Sequence, residues 1–188
     1  MPSSIHYRKT ARLLQSGGVI AYPTEGVYGL GCAPDDAEAV MHILNIKSRR
    51  MDAGLILISP NLDLLLPWIN PSSAELQQLN STQPNPVTWI VTAAKNTPEW
   101  LTGGCHTLAV RITDHPDVTR ICLAAGFPLV STSANRSGRP PARTRLQAHK
   151  WLGQSIDEVT PGALGDAAGP SEIRVAQTDQ VLRPQSST

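Results

Sequence analysis

Apolar positions along this 188-residue chain come in short bursts, and their spacing shifts between helical and extended. Ile5 to Gln15 keeps a helical interval and stops at Gly17-Gly18, which predicts an opening helix. Val19 to Tyr22 is a short apolar run ended by Pro23, a strand pattern. Asp35 or Asp36 is placed to cap a second helix whose apolar face draws on Val40, Met41, Leu44 and Ile46. Leu55 to Ile58 has the continuous apolar character of a buried strand. Leu62 to Leu79 predicts helix in two pieces, broken at Pro67 and Pro71. Val87 to Ala93 and Leu108 to Ile112 predict strands. A helix from Asp114 or His115 to about Gly126 follows, then a strand from Leu129 to Ser131 or just beyond. Thr144 to Leu152 predicts a last helix, and Ile173 to Ala176 with Val181-Leu182 a closing hairpin around Thr178-Asp179. The irregular alternation points to an α/β fold with an open sheet of mixed strand directions. No repeat or linker divides the chain, so residues 1–184 are expected to form one domain and residues 185–188 a short tail.

Composition narrows the partners. Hydrophobic residues make up 40% and charged residues 16%, the balance of an ordinary globular protein. Aromatics reach only 4%, with a single Phe127, too few for a base-stacking sheet that binds RNA. The formal net charge is +1, yet Val118 to Ile156 contains no Asp or Glu while holding Arg120, Arg136, Arg139, Arg143, Arg145 and Lys150. Such a stretch is either a solvated face or a local field for a polyanion. Cys32, Cys105 and Cys122 are widely spaced, and no Cys/His pair has ligand spacing, so no metal site in the protein is expected. No apolar run approaches membrane-spanning length, and Arg8, Lys9 and Arg12 interrupt any leader-like core, so a cytoplasmic location is expected.

Three strings carry candidate chemistry. In Ser131-Thr132-Ser133-Ala134-Asn135, an extended backbone would turn Ser131, Ser133 and Asn135 to one face, at the strand end where α/β sheets bind ligands. Alone, the string reads equally as a polar strand exit. No G-x-S-x-G elbow surrounds either serine, which argues against a serine nucleophile. Lys47-Ser48-Arg49-Arg50 ends a predicted helix; Lys47 and Arg49 can converge on phosphates only if the helix unwinds there, and basic residues also favour helix ends on their own account. Tyr22 to Gly31 reads as a strand followed by a glycine-punctuated turn, and it is neither a Walker loop nor a G-x-G-x-x-G fingerprint.

Together these strings resemble the YrdC-type threonylcarbamoyl-AMP synthase family, in its short bacterial form. The matching stretches are Pro23 to Gly31, Lys47 to Arg49, Ala109 to Arg111, Ser131 to Gly138 and Pro170 to Ile173, in the family's order. The likeness runs from about Ile5 to Arg183, and longer members are expected to continue into a second domain where this chain stops. The resemblance implies an open sheet around a large positive concave cavity. It implies synthesis of L-threonylcarbamoyladenylate and pyrophosphate from L-threonine, bicarbonate or CO2, and ATP, with Mg2+ carried mainly by the phosphates. Partner proteins would then transfer the threonylcarbamoyl group to tRNA, with RNA contact by this chain also possible. By position, Lys47, Arg49, Ser133 and Asn135 correspond to a catalytic polar tetrad. Lys47, Arg49, Thr107, Ser133 and Arg183 correspond to ATP contacts, and Thr24, Arg111, Ser131 and Ser171 to threonine contacts.

The chain departs from the family pattern at several places. Gly26 stands where many members have a second threonine, and Ala53 to Ile58 replaces an N-P-L-I-V-H string, removing an amide, an imidazole and a hydroxyl from the expected pocket. Gln83 and Asn85 replace an aromatic and a glycine, which predicts an altered turn beside the cavity. No histidine falls inside the motifs to serve as a base for the threonine amine, and Glu25 is a weak candidate for that role. The rival to an enzyme is a non-catalytic RNA-binding or ribosome-maturation protein using the same basic cavity. A carbamoyl-transfer domain of the hydrogenase-maturation kind is a weaker rival.

Overall fold

Two glycines and a tyrosine set how the sheet begins. In the computed structural model, which describes residues 3–184, helix α1 (Ser4–Gln15) starts where the Ser3 side chain accepts from the His6 N–H. It ends at Gly17, whose φ of 87° favours glycine. Strand β1 (Ile20–Pro23) then pairs antiparallel with β2 (Tyr28–Gly31). The Tyr22 to Gly31 string is therefore a hairpin: Gly26 lies in its loop, while Gly29 and Gly31 lie in a strand rather than in an open turn. Thr24 closes the loop, its N–H and hydroxyl both donating to the Val27 carbonyl, at 3.2 and 2.8 Å. The Tyr22 ring crosses β2 at the glycines: a Cβ at Gly31 would fall 2.7 Å from Tyr22 Cε1.

Helix α2 (Ala37–Ile46) is capped by Asp36, which accepts from the Ala39 N–H at 2.9 Å. It buries Ala39, Val40, Ile43 and Leu44. Met41, expected on that face, is 43% exposed, because one residue after Val40 the helix has turned about 100° away. After β3 (Ile56–Ser59), the first half of the predicted Leu62 to Leu79 helix is a series of tight turns. Leu65 and Trp68 donate to carbonyls three residues back, and Pro67 has no N–H with which to extend them. The second half is helix α3 (Ser73–Leu79), held by a reciprocal capping box between Ser72 and Glu75. Strand β4 (Val87–Thr92), the short helix α4 (Glu99–Thr102), β5 (Thr107–Ile112), α5 (Pro116–Ala125), β6 (Leu129–Ser133), α6 (Arg145–Leu152), β7 (Glu158–Val159), β8 (Glu172–Val175) and β9 (Val181–Arg183) complete the order.

The strands form one open mixed sheet, ordered β7-β1-β2-β6-β3-β5-β4-β8-β9. β1–β7, β3–β5 and β4–β8 are parallel pairs and the others antiparallel. The β8–β9 hairpin forms as predicted, turning at Asp179 with φ 56°. Residues 185–188, expected as a tail, lie outside the described residues. One sheet face packs Leu57, Val110 and Val130 with Val40 and Ile43 of α2 and with Leu152 of α6. On the other face, α1 and α5 cover Ile20, Tyr22, Ile58 and Leu129. Register puts Ile56, Ala109 and Ser131 side by side, with Arg111 beside Ile58. That half of the face extends beyond the helical cover, and there the cavity opens.

Candidate active site

A cavity of about 330 Å³ is walled by β5, β6, the Thr24 loop, the segment after α2 and the Gly169 to Ile173 strand entry. Eight of the ten predicted site residues line it: Thr24, Arg49, Thr107, Arg111, Ser131, Ser133, Ser171 and Arg183. The other two, Lys47 and Asn135, sit behind Ser133. Lys47 is 7% exposed, and its ammonium donates to the Ser133 carbonyl at 2.7 Å, the Asn135 carbonyl at 3.2 Å and Asn135 Oδ1 at 2.7 Å. Ser133 Oγ also donates to Asn135 Oδ1, at 2.7 Å. Burial, reinforced by the Arg49 charge, pushes the Lys47 pKa down to about 8. Asn135 does not continue the extended row of Ser131 and Ser133. β6 ends at Ser133, and the Asn135 N–H donates back to the Ser133 carbonyl at 2.9 Å. A tight bend, rather than strand alternation, brings its amide to the lysine.

The helix does end between Lys47 and Arg49, as convergence requires. Ser48 takes φ 47°, the Arg49 N–H donates to Leu44 O at 2.9 Å, and the Ser48 N–H donates to Asn45 O at 3.0 Å. This is a Schellman close with serine where glycine is usual. It sends Lys47 inward and Arg49 to the cavity rim, where Arg49 also donates to the Ala53 carbonyl at 2.9 Å.

Arg111 is the buried cation of the cavity floor, 7% exposed, with Nη2 3.3 Å from Glu25 Oε2. The other Glu25 oxygen accepts a short hydrogen bond from the Thr113 hydroxyl. Burial alone would raise the Glu25 pKa. The Arg111 charge, the Thr113 hydrogen bond and a backbone N–H outweigh it and hold the carboxyl below its usual range. Glu25 does not line the cavity. Arg183 donates to the Ser171 carbonyl at 2.8 Å. Partial desolvation of its guanidinium, with the charges of Arg111 and Arg49, disfavours the protonated form, although the residue as a whole is exposed. Arg183 thus shares one space with the Arg111 and Arg49 charges, which favours an anionic occupant. Ser171 shares a 2.7 Å hydrogen bond with Thr88.

The departures now have places. At Gly26 a Cβ would meet the Gly169 carbonyl at 2.2 Å, so the backbone around Gly169 fills the space of the missing threonine side chain. Ala53 and Gly54 line the cavity, but Ile58 is fully buried under α5 beside Cys122 and Leu129. The imidazole position is therefore apolar core outside the cavity lining. Gln83 and Asn85 do not touch this cavity. They border a second one, of about 420 Å³, on the far side of Glu25 and Thr113. Thr113 was missed by sequence reasoning, although its place two residues after Arg111 was a signal for a shared strand face. Tyr22 was missed as well, because its position reads simply as core.

Residues 12–184 match the Sua5_yciO_yrdC family, described as telomere recombination. The threonylcarbamoyl-AMP synthase of Nitrosococcus oceani is 49% identical over 177 residues, covering 94% of this chain and 96% of that protein. That of Pseudomonas aeruginosa is 46% identical over 187 residues, covering 98% and 100%. Among solved structures, P. abyssi Sua5 complexed with L-threonine superposes with a TM-score of 0.86 at 26% identity. The match covers 93% of this chain and 52% of that one, so the present chain spans about half its length. With a family match over nearly the whole chain and relatives of similar length approaching half identity, the chain belongs to the Sua5/YciO/YrdC family, in its short form.

Proposed function

We propose that this protein is a threonylcarbamoyl-AMP synthase, a nucleotidyltransferase that forms L-threonylcarbamoyladenylate and pyrophosphate from L-threonine, bicarbonate or CO2, and ATP. The product serves threonylcarbamoyladenosine modification of tRNA in the cytoplasm, through separate transfer proteins. The relatives of that name support the reading. The single structural observation behind it is the joint lining of one cavity by three arginines and a row of hydroxyls.

In this reading Arg111 pairs with the threonine carboxylate, as a planar fork suits, and Thr24, Ser131 and Ser171 surround the amino acid. The Thr24 proton is already given to Val27, so Thr24 contributes shape and an acceptor. Arg49, Thr107, Ser133 and Arg183 take ATP. Lys47 and Asn135 brace the Ser133 wall, and Lys47 adds its charge from behind. The amine and CO2 form a carbamate with loss of a proton. A carbamate oxygen then attacks the α-phosphorus, and the bond to pyrophosphate breaks. Charge grows on the phosphoryl oxygens, where fixed cations stabilise it. Glu25, ion-paired, weakly basic and outside the cavity, is a poor base for the amine, so positioning carries much of the rate. Asp52 is the sole carboxylate on the described lining and is held by Arg50 at 2.7 Å, so Mg2+ would come with the phosphates.

The test is to incubate the protein with L-threonine, bicarbonate, Mg2+ and ATP and to measure pyrophosphate and the adenylate. Formation should collapse in Lys47→Ala, Arg49→Ala and Arg111→Ala. No adenylate from folded wild-type protein overturns the reading. Salt-sensitive RNA binding that survives those substitutions would favour the RNA-binding alternative instead.

A further inference from the structure

Tyr22 is fully buried, and its hydroxyl makes no well-formed hydrogen bond, with only the Ser131 side chain near enough to interact. Buried polar groups are nearly always satisfied, so an orphan calls for a reason. Its position supplies one. The ring crosses β2 over Gly29 and Gly31, where side chains would block it: a Cβ at Gly29 would lie 3.2 Å from Tyr22 Cζ and 3.4 Å from its hydroxyl. Gly29 lines the cavity, and the Thr24 methyl stands 3.4 Å from the same built Cβ. Beyond β2 the phenol comes up beside Ser131 on β6, near the Arg111 charge. Ser131 lines the cavity, whereas Tyr22 stands behind it. Burial raises the Tyr22 pKa far above its ordinary value, so the phenol stays protonated and available as a donor.

We propose that Tyr22 is a positioning residue for the amino-acid subsite, donating its hydroxyl proton to Ser131 Oγ when Ser131 donates its own to the substrate. This rests on the reading that Ser131 serves threonine. A lone serine rotor points in any of several directions; an acceptor role toward Tyr22 fixes its proton toward the cavity. Gly29 and Gly31 then serve the site by leaving a passage for the phenol. The hydroxyl lacks a well-formed hydrogen bond in the empty protein, which costs stability, and gains one on binding.

Tyr22→Phe keeps the ring and removes the donor. It should raise the melting temperature of the ligand-free protein by about 2–4 °C, because an unsatisfied group is gone. It should also weaken L-threonine by about tenfold, a typical loss for one hydrogen bond. That loss should appear in the threonine KM and in a smaller threonine-induced thermal shift, with the ATP KM unchanged. In a Ser131→Ala background the same substitution should have no further effect on threonine. Equal threonine responses in wild type and Tyr22→Phe overturn the proposal, as does an undiminished effect in the Ser131→Ala background. Absence of any threonine response in wild type overturns the reading on which it rests, and the proposal with it.

Discussion

Arg111 and Lys47 are both nearly buried cations, but their partners differ in kind. Arg111 has an ionised partner, Glu25, while Lys47 has only neutral oxygens. Removing one member of a buried pair costs about 3–5 kcal/mol. Water in the cavity softens this for Arg111, so Glu25→Gln should cost about 2 kcal/mol in urea unfolding and raise the threonine KM more than the ATP KM. The Glu25 pKa is depressed by folding, so its contribution to stability is complete above the ordinary carboxylate pKa and is lost as pH falls through the folded one. Wild type should therefore lose more stability on acidification than Glu25→Gln. For Lys47 the pKa is lowered too, so the slope has the same sign but falls in a higher pH range. Between about 8 and its ordinary 10.5, the folded protein holds less of this proton than the unfolded chain, so the group's contribution to stability rises there. The cation is lost over the same interval, and ATP affinity should fall as pH rises through about 8. The family resemblance pointed to both residues. It did not reveal that Lys47 and Asn135 stand behind the wall, because that depends on bends at Ser48 and Asn135 with no hydrophobic signature.

The elements that escaped sequence reading share a physical reason. β7 has two residues and α4 has four, too few for a period to register. β2 alternates glycine with Tyr28 and Leu30, a pattern suited to a turn until the Tyr22 ring is placed across it. The same observation predicts that Gly31→Ala will be severe. Its Cβ would meet the Val130 carbonyl at 2.6 Å as well as the ring, and strand backbone cannot yield as a side-chain tip can. Loss of about 3 kcal/mol or more, the upper range for overpacking, should appear as a lowered denaturation midpoint. Ser48→Gly should act the other way. Serine at φ 47° carries a left-handed strain of about 1–2 kcal/mol, most of which glycine relieves, with the Lys47 and Arg49 directions kept. The longer strands and α1, α2, α5 and α6 were legible because each pairs a clear period with a cap or a stop, such as Asp36, Thr144 or Gly126.

Across the whole molecule, a formal charge of +1 conceals a cavity that gathers Arg49, Arg111 and Arg183 from three distant parts of the chain. Composition could not show this, since only the sheet order puts β5 and β9 around one space. The mixed sheet itself was legible from irregular alternation, while its cavity entered only through the family resemblance. The two helices on that face leave part of it uncovered, and the substrates are proposed to meet there. The most direct test is to follow labelled carbon from bicarbonate. With L-threonine, ATP and Mg2+ present, the label should enter an adenylate in step with pyrophosphate release, and Arg111→Ala should abolish both. Pyrophosphate release that ignores threonine, or label that never reaches an adenylate with folded wild-type protein, would contradict the account.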